Sequence, residues 1–328
     1  MVSEPDRPMF DADAWGLSDR ERDLAAVARE IGQSKVAPRA AQYDREAVFP
    51  MKNYRDMYAA GLMGICIPEE YGGHGIGLRG YAVVAAEIGR YCGSTALTWT
   101  MHVCSCLWSG ALTDDLEMNE ADRRRHRENR AVHYRRILDE GAIYAQPFSE
   151  GGAAAAGVVA FGTRALRIEG GWIVNGKKIF ASLAGSADYY GVLCTELESA
   201  DDRASRGNTL YIAIPAKSDG VTVEGNWDPL GMRGTVSRNL LFEDVFVPDG
   251  AELMPPGFYF KAATQWPHMF MTLTPAYMGQ AQAAYDFTVS YLRGEMEGTL
   301  PVKRRMYPTK QIAVAQMRVM LEQTKSIW

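Results

Sequence analysis

Apolar residues recur at helical spacing through the first third of the chain. Leu24, Val27, Ala28 and Ile31 fall three or four positions apart, and Ser18 with Glu21 three residues on is a capping-box pair, so a helix is predicted to begin there. Residues 81–92 are apolar almost all round, which predicts a buried helix. Pro38, Pro50 and the glycine-rich loop at 68–77 punctuate the region, because proline blocks helix continuation and glycine permits positive φ. The pattern continues to about Leu138 and predicts a first, helical domain.

After Ile143 the period shortens. Runs at 164–168, 172–174 and 178–180 alternate with Gly170-Gly171 and Asn175-Gly176, and Asn-Gly between such runs predicts a hairpin turn. Further strand candidates lie at 189–195, 210–215, 221–223 and 240–247, so an antiparallel β region is expected over 143–248. From Phe258 the helical period returns. Helices, then strands, then helices make an α+β chain in segregated blocks. The expected units are an N-terminal helical domain at 1–142, a middle β domain at 143–250 and a partial C-terminal helical domain at 251–328.

Composition narrows the class. With 328 residues, 47% of them hydrophobic, the chain can bury a large core. A net charge of -5 gives no basic surface of the kind that binds nucleic acid. Residues 1–13 carry acids and prolines where a leader would carry a basic start and an apolar run, and no stretch matches a membrane span. Cys66, Cys92, Cys104, Cys106 and Cys194 have no framework spacing, so reduced thiols and a cytoplasmic location are expected.

Several sharp-looking motifs reduce to ordinary structure. Gly75-Ile76-Gly77-Leu78-Arg79-Gly80 fits GxGxxG, yet no long buried strand precedes it and Glu87 follows too soon for a dinucleotide site. His102, Cys104 and Cys106 alternate on a predicted helix, where residues two apart diverge, so no metal is expected. The run Arg123-Arg124-Arg125-His126-Arg127 reads as a solvated face among many acids, and His268 as a packing residue.

Three stretches in fixed order carry a resemblance: Ile67-Pro68-Glu69-Glu70-Tyr71-Gly72-Gly73, Gln146-Pro147-Phe148-Ser149-Glu150 and Leu230-Gly231-Met232-Arg233-Gly234-Thr235-Val236-Ser237. With Phe242-Glu243-Asp244-Val245-Phe246-Val247-Pro248 and Gly279-Gln280-Ala281-Gln282, they resemble the acyl-CoA dehydrogenase family over nearly the whole chain. The resemblance implies FAD as cofactor and α,β-desaturation of an acyl-CoA thioester in fatty-acid metabolism, with an electron-transfer flavoprotein as acceptor. It also implies a flavin-lining strand with Ser149 as the hydroxyl and Gln146 and Phe148 beside it. Asn175 to Ser182 is similar to the next flavin-contacting strand, with Phe180 in the aromatic place and Ser182 in the hydroxyl place. Gln311 falls where a family glutamine helps hold the cofactor across a subunit interface, so a homo-oligomer, or a hetero-oligomer with a paralogue, is implied.

The chain also departs from the family pattern. Gly151-Gly152-Ala153-Ala154-Ala155-Ala156 replaces a run bearing a serine and an aspartate for the substrate arm, and Pro267 and Phe270 replace a charged pair. The family's catalytic glutamate would lie past Trp328, where the last helical domain is expected to be half built, and no catalytic residue is assigned. Two alternatives remain: a reduced-flavin monooxygenase on the same scaffold, and a non-catalytic subunit that completes a paralogue's interface.

Overall fold

The computed structural model describes residues 7–152, 159–199, 201–303 and 305–327, so the Ala153 to Ala156 run lies outside the described residues. Helix α1 (Asp19–Ile31) begins at the expected capping box, with the Ser18 hydroxyl accepting from the Glu21 amide and the Glu21 carboxylate accepting from the Ser18 amide at 2.8 Å. Helices α2 (Ala37–Glu46) and α3 (Met51–Ala59) follow, then α4 (Leu78–Gly89) and α5 (Gly93–Leu107) form the buried centre of the helical layer. In α4 every residue from Gly80 to Gly89 is buried. Helix α6 (Glu120–Glu140) turns its charges outward and buries one stripe, His126, Arg130, His133, Tyr134 and Ile137.

After the sheet come α7 (Phe258–Gln265), α8 (Thr274–Arg293) and α9 (Pro308–Ile327). Helices α4 and α8 touch backbone to backbone. A Cβ on Gly279 would lie 2.2 Å from the Ala86 carbonyl oxygen, and one on Gly89 would lie 2.5 Å from that of Ala276. Beside this crossing the Arg90 guanidinium meets Asp286 at 2.6 Å, the Gln282 amide donates to Asp286 at 2.8 Å, and the Lys325 ammonium donates to Gln282 at 3.1 Å and to the Met9 carbonyl at 2.8 Å. A buried charge left alone is costly, and here each one finds an opposite charge or a carbonyl.

The strands are β1 (Tyr144–Ala145), β2 (Arg164–Ile168), β3 (Gly171–Ala181), β4 (Tyr189–Leu197), β5 (Thr209–Pro215), β6 (Val221–Glu224), β7 (Arg238–Pro248) and β8 (Glu252–Met254). They form one sheet in the order β6-β7-β3-β2-β4-β5-β8, with β1 on β4. The α+β class holds, but the sheet is mixed: β1 and β2 both run parallel to β4. They are two pieces of one edge. Tyr144 pairs with Tyr189 at one end of β4 and Arg164 with Thr195 toward the other, and the chain leaves the sheet between them. Strand periodicity carries no direction, so the sequence pattern could not distinguish this from a meander.

Asn175-Gly176 is not a turn either. The β2–β3 turn falls at Gly170, with φ +80°, and Asn175 and Gly176 lie inside β3 at a bulge against β7. A Cβ on Gly176 would lie 2.6 Å from Thr163 Cα, so glycine is required by a close backbone approach. The Asn175 side chain accepts from the Asp244 amide at 2.9 Å and donates to its carboxylate at 2.9 Å, bracing the left-handed Asp244 of β7.

Three histidines are buried where the helices meet the sheet. Nδ1 of His102 accepts the Tyr144 amide at 3.0 Å, so its proton sits on Nε2, which donates to the Met63 carbonyl at 3.1 Å. Burial pushes His102 and His126 down to about 4 and His133 to about 3.

Two tests follow from this packing. Gly279→Ala is expected to lower the unfolding free energy by about 1–3 kcal/mol through overpacking, read from urea unfolding followed by tryptophan fluorescence. The histidines are neutral when folded and take up protons below about 6.5 when unfolded, so stability is full above that pH and falls toward about 4. Each contributes a slope of about 1.4 kcal/mol per pH unit, and urea midpoints measured between pH 7.5 and 5 check it.

Candidate flavin site on strand β3

Beyond Asn175, strand β3 runs past the end of β2, and the segment leaving β1 fills the space. The Ile179 amide donates to the Ser149 carbonyl at 2.8 Å, so the segment bearing Ser149 lies directly beside the one bearing Phe180 and Ser182. The next residue fixes this arrangement. The Glu150 carboxylate accepts from the Gly162 amide at 2.6 Å, the Thr163 amide at 2.9 Å and the Lys178 ammonium at 2.6 Å. Lys178 is fully buried, donates also to the Leu193 carbonyl at 2.6 Å and lies 4.8 Å from the centre of the Phe161 ring. Burial alone would raise the Glu150 carboxyl, but Lys178 and the Thr163 amide hold it below the ordinary range.

A second bulge between Lys178 and Ala181 turns Phe180 outward, with φ +50° and 63% of its surface exposed. Its ring meets Trp227 edge to face at 6.1 Å. Ser182 is buried, and its hydroxyl lies 2.7 Å from that of Ser237, which lies 2.7 Å from that of Thr235. Thr235 donates to the Met232 carbonyl at 2.8 Å, and the Trp227 indole donates to the same oxygen at 3.2 Å. The half-buried Trp227 ring and the buried hydroxyls therefore share one anchor.

The backbone here is strained. Of the six non-glycine residues with positive φ among the described residues, Phe180, Leu183, Met232 and Val236 surround these hydroxyls. Each costs roughly 1–3 kcal/mol, and Val236 is β-branched, the least tolerant type. Such strain persists where the surroundings over-determine the geometry. Arg233 is bound to Asp44 of α2 at 3.2 Å, and a Cβ on Gly234 would meet Ser94 of α5 at 3.2 Å, so the helical layer grips the loop. The loop that precedes β7 carries the Thr235 and Ser237 hydroxyls to Ser182.

The six expected residues divide. The segments bearing Ser149 and bearing Phe180 and Ser182 lie side by side at the end of β3. Gln146 and Phe148 serve the side facing the helices: the Gln146 amide donates to the Tyr211 hydroxyl at 3.0 Å, and Phe148 stacks on Trp108 at 5.4 Å and meets Tyr211 at 5.6 Å. Gln311 is exposed on α9 and spends its amide on the Arg305 carbonyl at 2.8 Å. The pattern of residues missed Glu150, Lys178, Trp227, Thr235 and Ser237 as site residues. One signal was available for Lys178, a lysine standing at a core position of a strand. Among the described residues no cluster of three or more metal-ligating side chains occurs; Cys104 donates to the Tyr81 hydroxyl while His102 bridges Met63 and Tyr144.

Comparison with known proteins gives the family. Residues 18–112 match the acyl-CoA dehydrogenase N-terminal domain, and residues 147–245 match the acyl-CoA dehydrogenase middle domain. The chain belongs to the acyl-CoA dehydrogenase family. The human mitochondrial short-chain specific acyl-CoA dehydrogenase is 29% identical over 94% of this chain and 71% of its own length. Among solved structures, butyryl-CoA dehydrogenase from Megasphaera elsdenii superposes with a TM-score of 0.77 at 22% identity, over 94% of this chain and 78% of its own. A glutaryl-CoA dehydrogenase from Mycobacterium smegmatis, in complex with FADH2, gives a TM-score of 0.74 at 20% identity, over 98% and 77%. Both middle-domain hydroxyls, Ser149 and Ser182, fall inside the stretch matched to the acyl-CoA dehydrogenase middle domain. No helix of the described residues is long and apolar enough to cross a membrane.

Lys178→Met is expected to cost about 3–5 kcal/mol, because it strands the Glu150 carboxylate. The double change Lys178→Met with Glu150→Gln should recover part of that loss in the same urea titration, since no uncompensated charge remains.

Proposed function

We propose that this chain binds FAD against the end of β3 and oxidises an acyl-CoA thioester between Cα and Cβ, with electrons leaving to an electron-transfer flavoprotein. The observation that carries the reading is the Ile179–Ser149 backbone hydrogen bond, which makes neighbours of the two segments bearing Ser149, Phe180 and Ser182. The residues present suit a flat heteroaromatic ring: an outward aromatic pair to cover it, short hydroxyls to meet its polar edge, and a backbone too constrained to relax around a misfit. FAD in that place supplies a two-electron acceptor for hydride. Phe180 and Trp227 exclude water from it, Ser149 and Ser182 orient it, and the Glu150–Lys178 pair keeps the two segments in register. Gln146 and Phe148 stiffen the Ser149 segment from the helical side.

Removing the weakly acidic α-proton of the thioester needs a base, and none of the residues at this site is assigned that task. The acyl carrier's arm meets no charge at Pro267 or Phe270, so its recognition falls to other groups. Oligomer formation is part of the proposal. Phe287, Tyr291, Ile312, Val319 and Met320 expose apolar surface on α8 and α9, and Gln311 stands on the same helices, where a neighbouring copy's cofactor could meet it. All five cysteines are free and buried, in keeping with a reducing, cytoplasmic setting.

The test is a purified, FAD-reconstituted protein titrated anaerobically with acyl-CoA thioesters. Visible flavin absorbance that bleaches on substrate addition is the expected result. Bound flavin that acyl-CoA leaves oxidised, but that turns over with a reductase and oxygen, points to the monooxygenase chemistry instead. No bound flavin even at saturating FAD leaves only the partner-subunit role. Phe180→Ala is expected to weaken FAD binding about tenfold, the equivalent of ~1.4 kcal/mol, measured by fluorescence titration.

A further inference from the structure

With the Thr235 hydroxyl donating to the Met232 carbonyl, the three hydroxyls behind Phe180 fall into one proton order. A carbonyl oxygen accepts and cannot donate, so the single proton of the Thr235 hydroxyl, 2.8 Å from the Met232 oxygen, is committed there. Ser237, 2.7 Å from Thr235, must then donate to Thr235. Ser182, 2.7 Å from Ser237, must in turn donate to Ser237, whose own proton is already spent. The result is a one-way chain from Ser182 through Ser237 and Thr235 to the Met232 carbonyl. Thr235 is fully buried and Ser237 nearly so, at 0% and 6% exposure, while Ser182 at 4% stands at the outer end of the chain. Hydrogen bonds aligned in this way polarise one another. The carbonyl at the end of the chain is itself held by the Trp227 indole and the Thr235 amide at 3.1 Å, and Met232 is locked at φ +61°.

We propose that Thr235 and Ser237 are positioning residues that turn Ser182 into a hydrogen-bond acceptor, so that the site selects a ligand edge presenting N–H over one presenting a bare nitrogen. This rests on the reading that FAD lies against Ser182. A reduced isoalloxazine carries N–H at ring nitrogens that are bare in the oxidised ring. A Ser182 whose proton is withdrawn toward Met232 therefore favours the reduced cofactor and raises its midpoint potential. Neither Thr235 nor Ser237 needs to touch the ring.

The experiment measures two quantities on FAD-reconstituted protein: the FAD dissociation constant, and the midpoint potential by equilibration with a reference dye. Ser237→Ala removes the acceptor for Ser182 and frees its proton to point at the ring, and Thr235→Val does the same one step back while keeping the side-chain shape. Each is expected to shift the balance about tenfold toward oxidised flavin, a lowering of about 30 mV for two electrons, with FAD still bound. Thr235→Ser keeps the chain of protons and should retain the parent potential. If Ser237→Ala fails to fold, the isosteric Thr235→Val carries the measurement. Variants that bind FAD with an unshifted or raised potential overturn the inference and leave the FAD reading standing. A parent protein that binds no FAD overturns both.

Discussion

One half-buried carboxylate decides where the middle of this chain goes. Between β1 and β2 the backbone abandons the edge of β4, and a segment that leaves a sheet must find other partners for its amides. Glu150 supplies them. By accepting from Gly162, Thr163 and Lys178 together, it closes the base of the excursion and draws Ser149 against the free length of β3. The lysine it holds could not be buried without it. The bulge at Phe180, the outward ring and the hydroxyls behind it are built on a strand whose free edge this one ion pair occupies.

The helical layer is set by a different economy of space. Gly89 and Gly279 bring α4 and α8 into backbone contact, which puts Arg90 of the one within reach of Asp286 of the other. Bulk at either glycine would part the helices and unpair those groups at once. The same layer grips the site from behind, through Asp44 on Arg233 and Ser94 against Gly234, so the left-handed loop before β7 inherits the rigidity of α2 and α5.

Local features were legible in the sequence, and features made by distant partners were not. The capping box at Ser18 and Glu21, the buried helix around residues 81–92 and the change of period after Ile143 each depend on neighbours in the chain, and each stands as read. Ser149 and Ser182 were singled out only as matches to a family pattern, and the pairing of their two segments rests on one long-range hydrogen bond. Asn175-Gly176 misled because the dipeptide that favours a tight turn also suits a bulge crossed by another backbone, and only Thr163 distinguishes the two. The parallel pairing on β4 left no trace in alternation. Thr235 and Ser237 were not singled out because nothing in a single sequence states which hydroxyl they would face.

The left-handed residues around the hydroxyls set the terms on which this region can drift. Glycine at Met232 or Val236, which are only partly buried, would relieve the folded backbone, but it would also widen the freedom of the unfolded chain, and the two effects oppose one another. A melting curve would scarcely register such a change. The loop, however, would lose its stiffness, so variation here bears on how rigidly the candidate site is held and hardly at all on whether the protein folds.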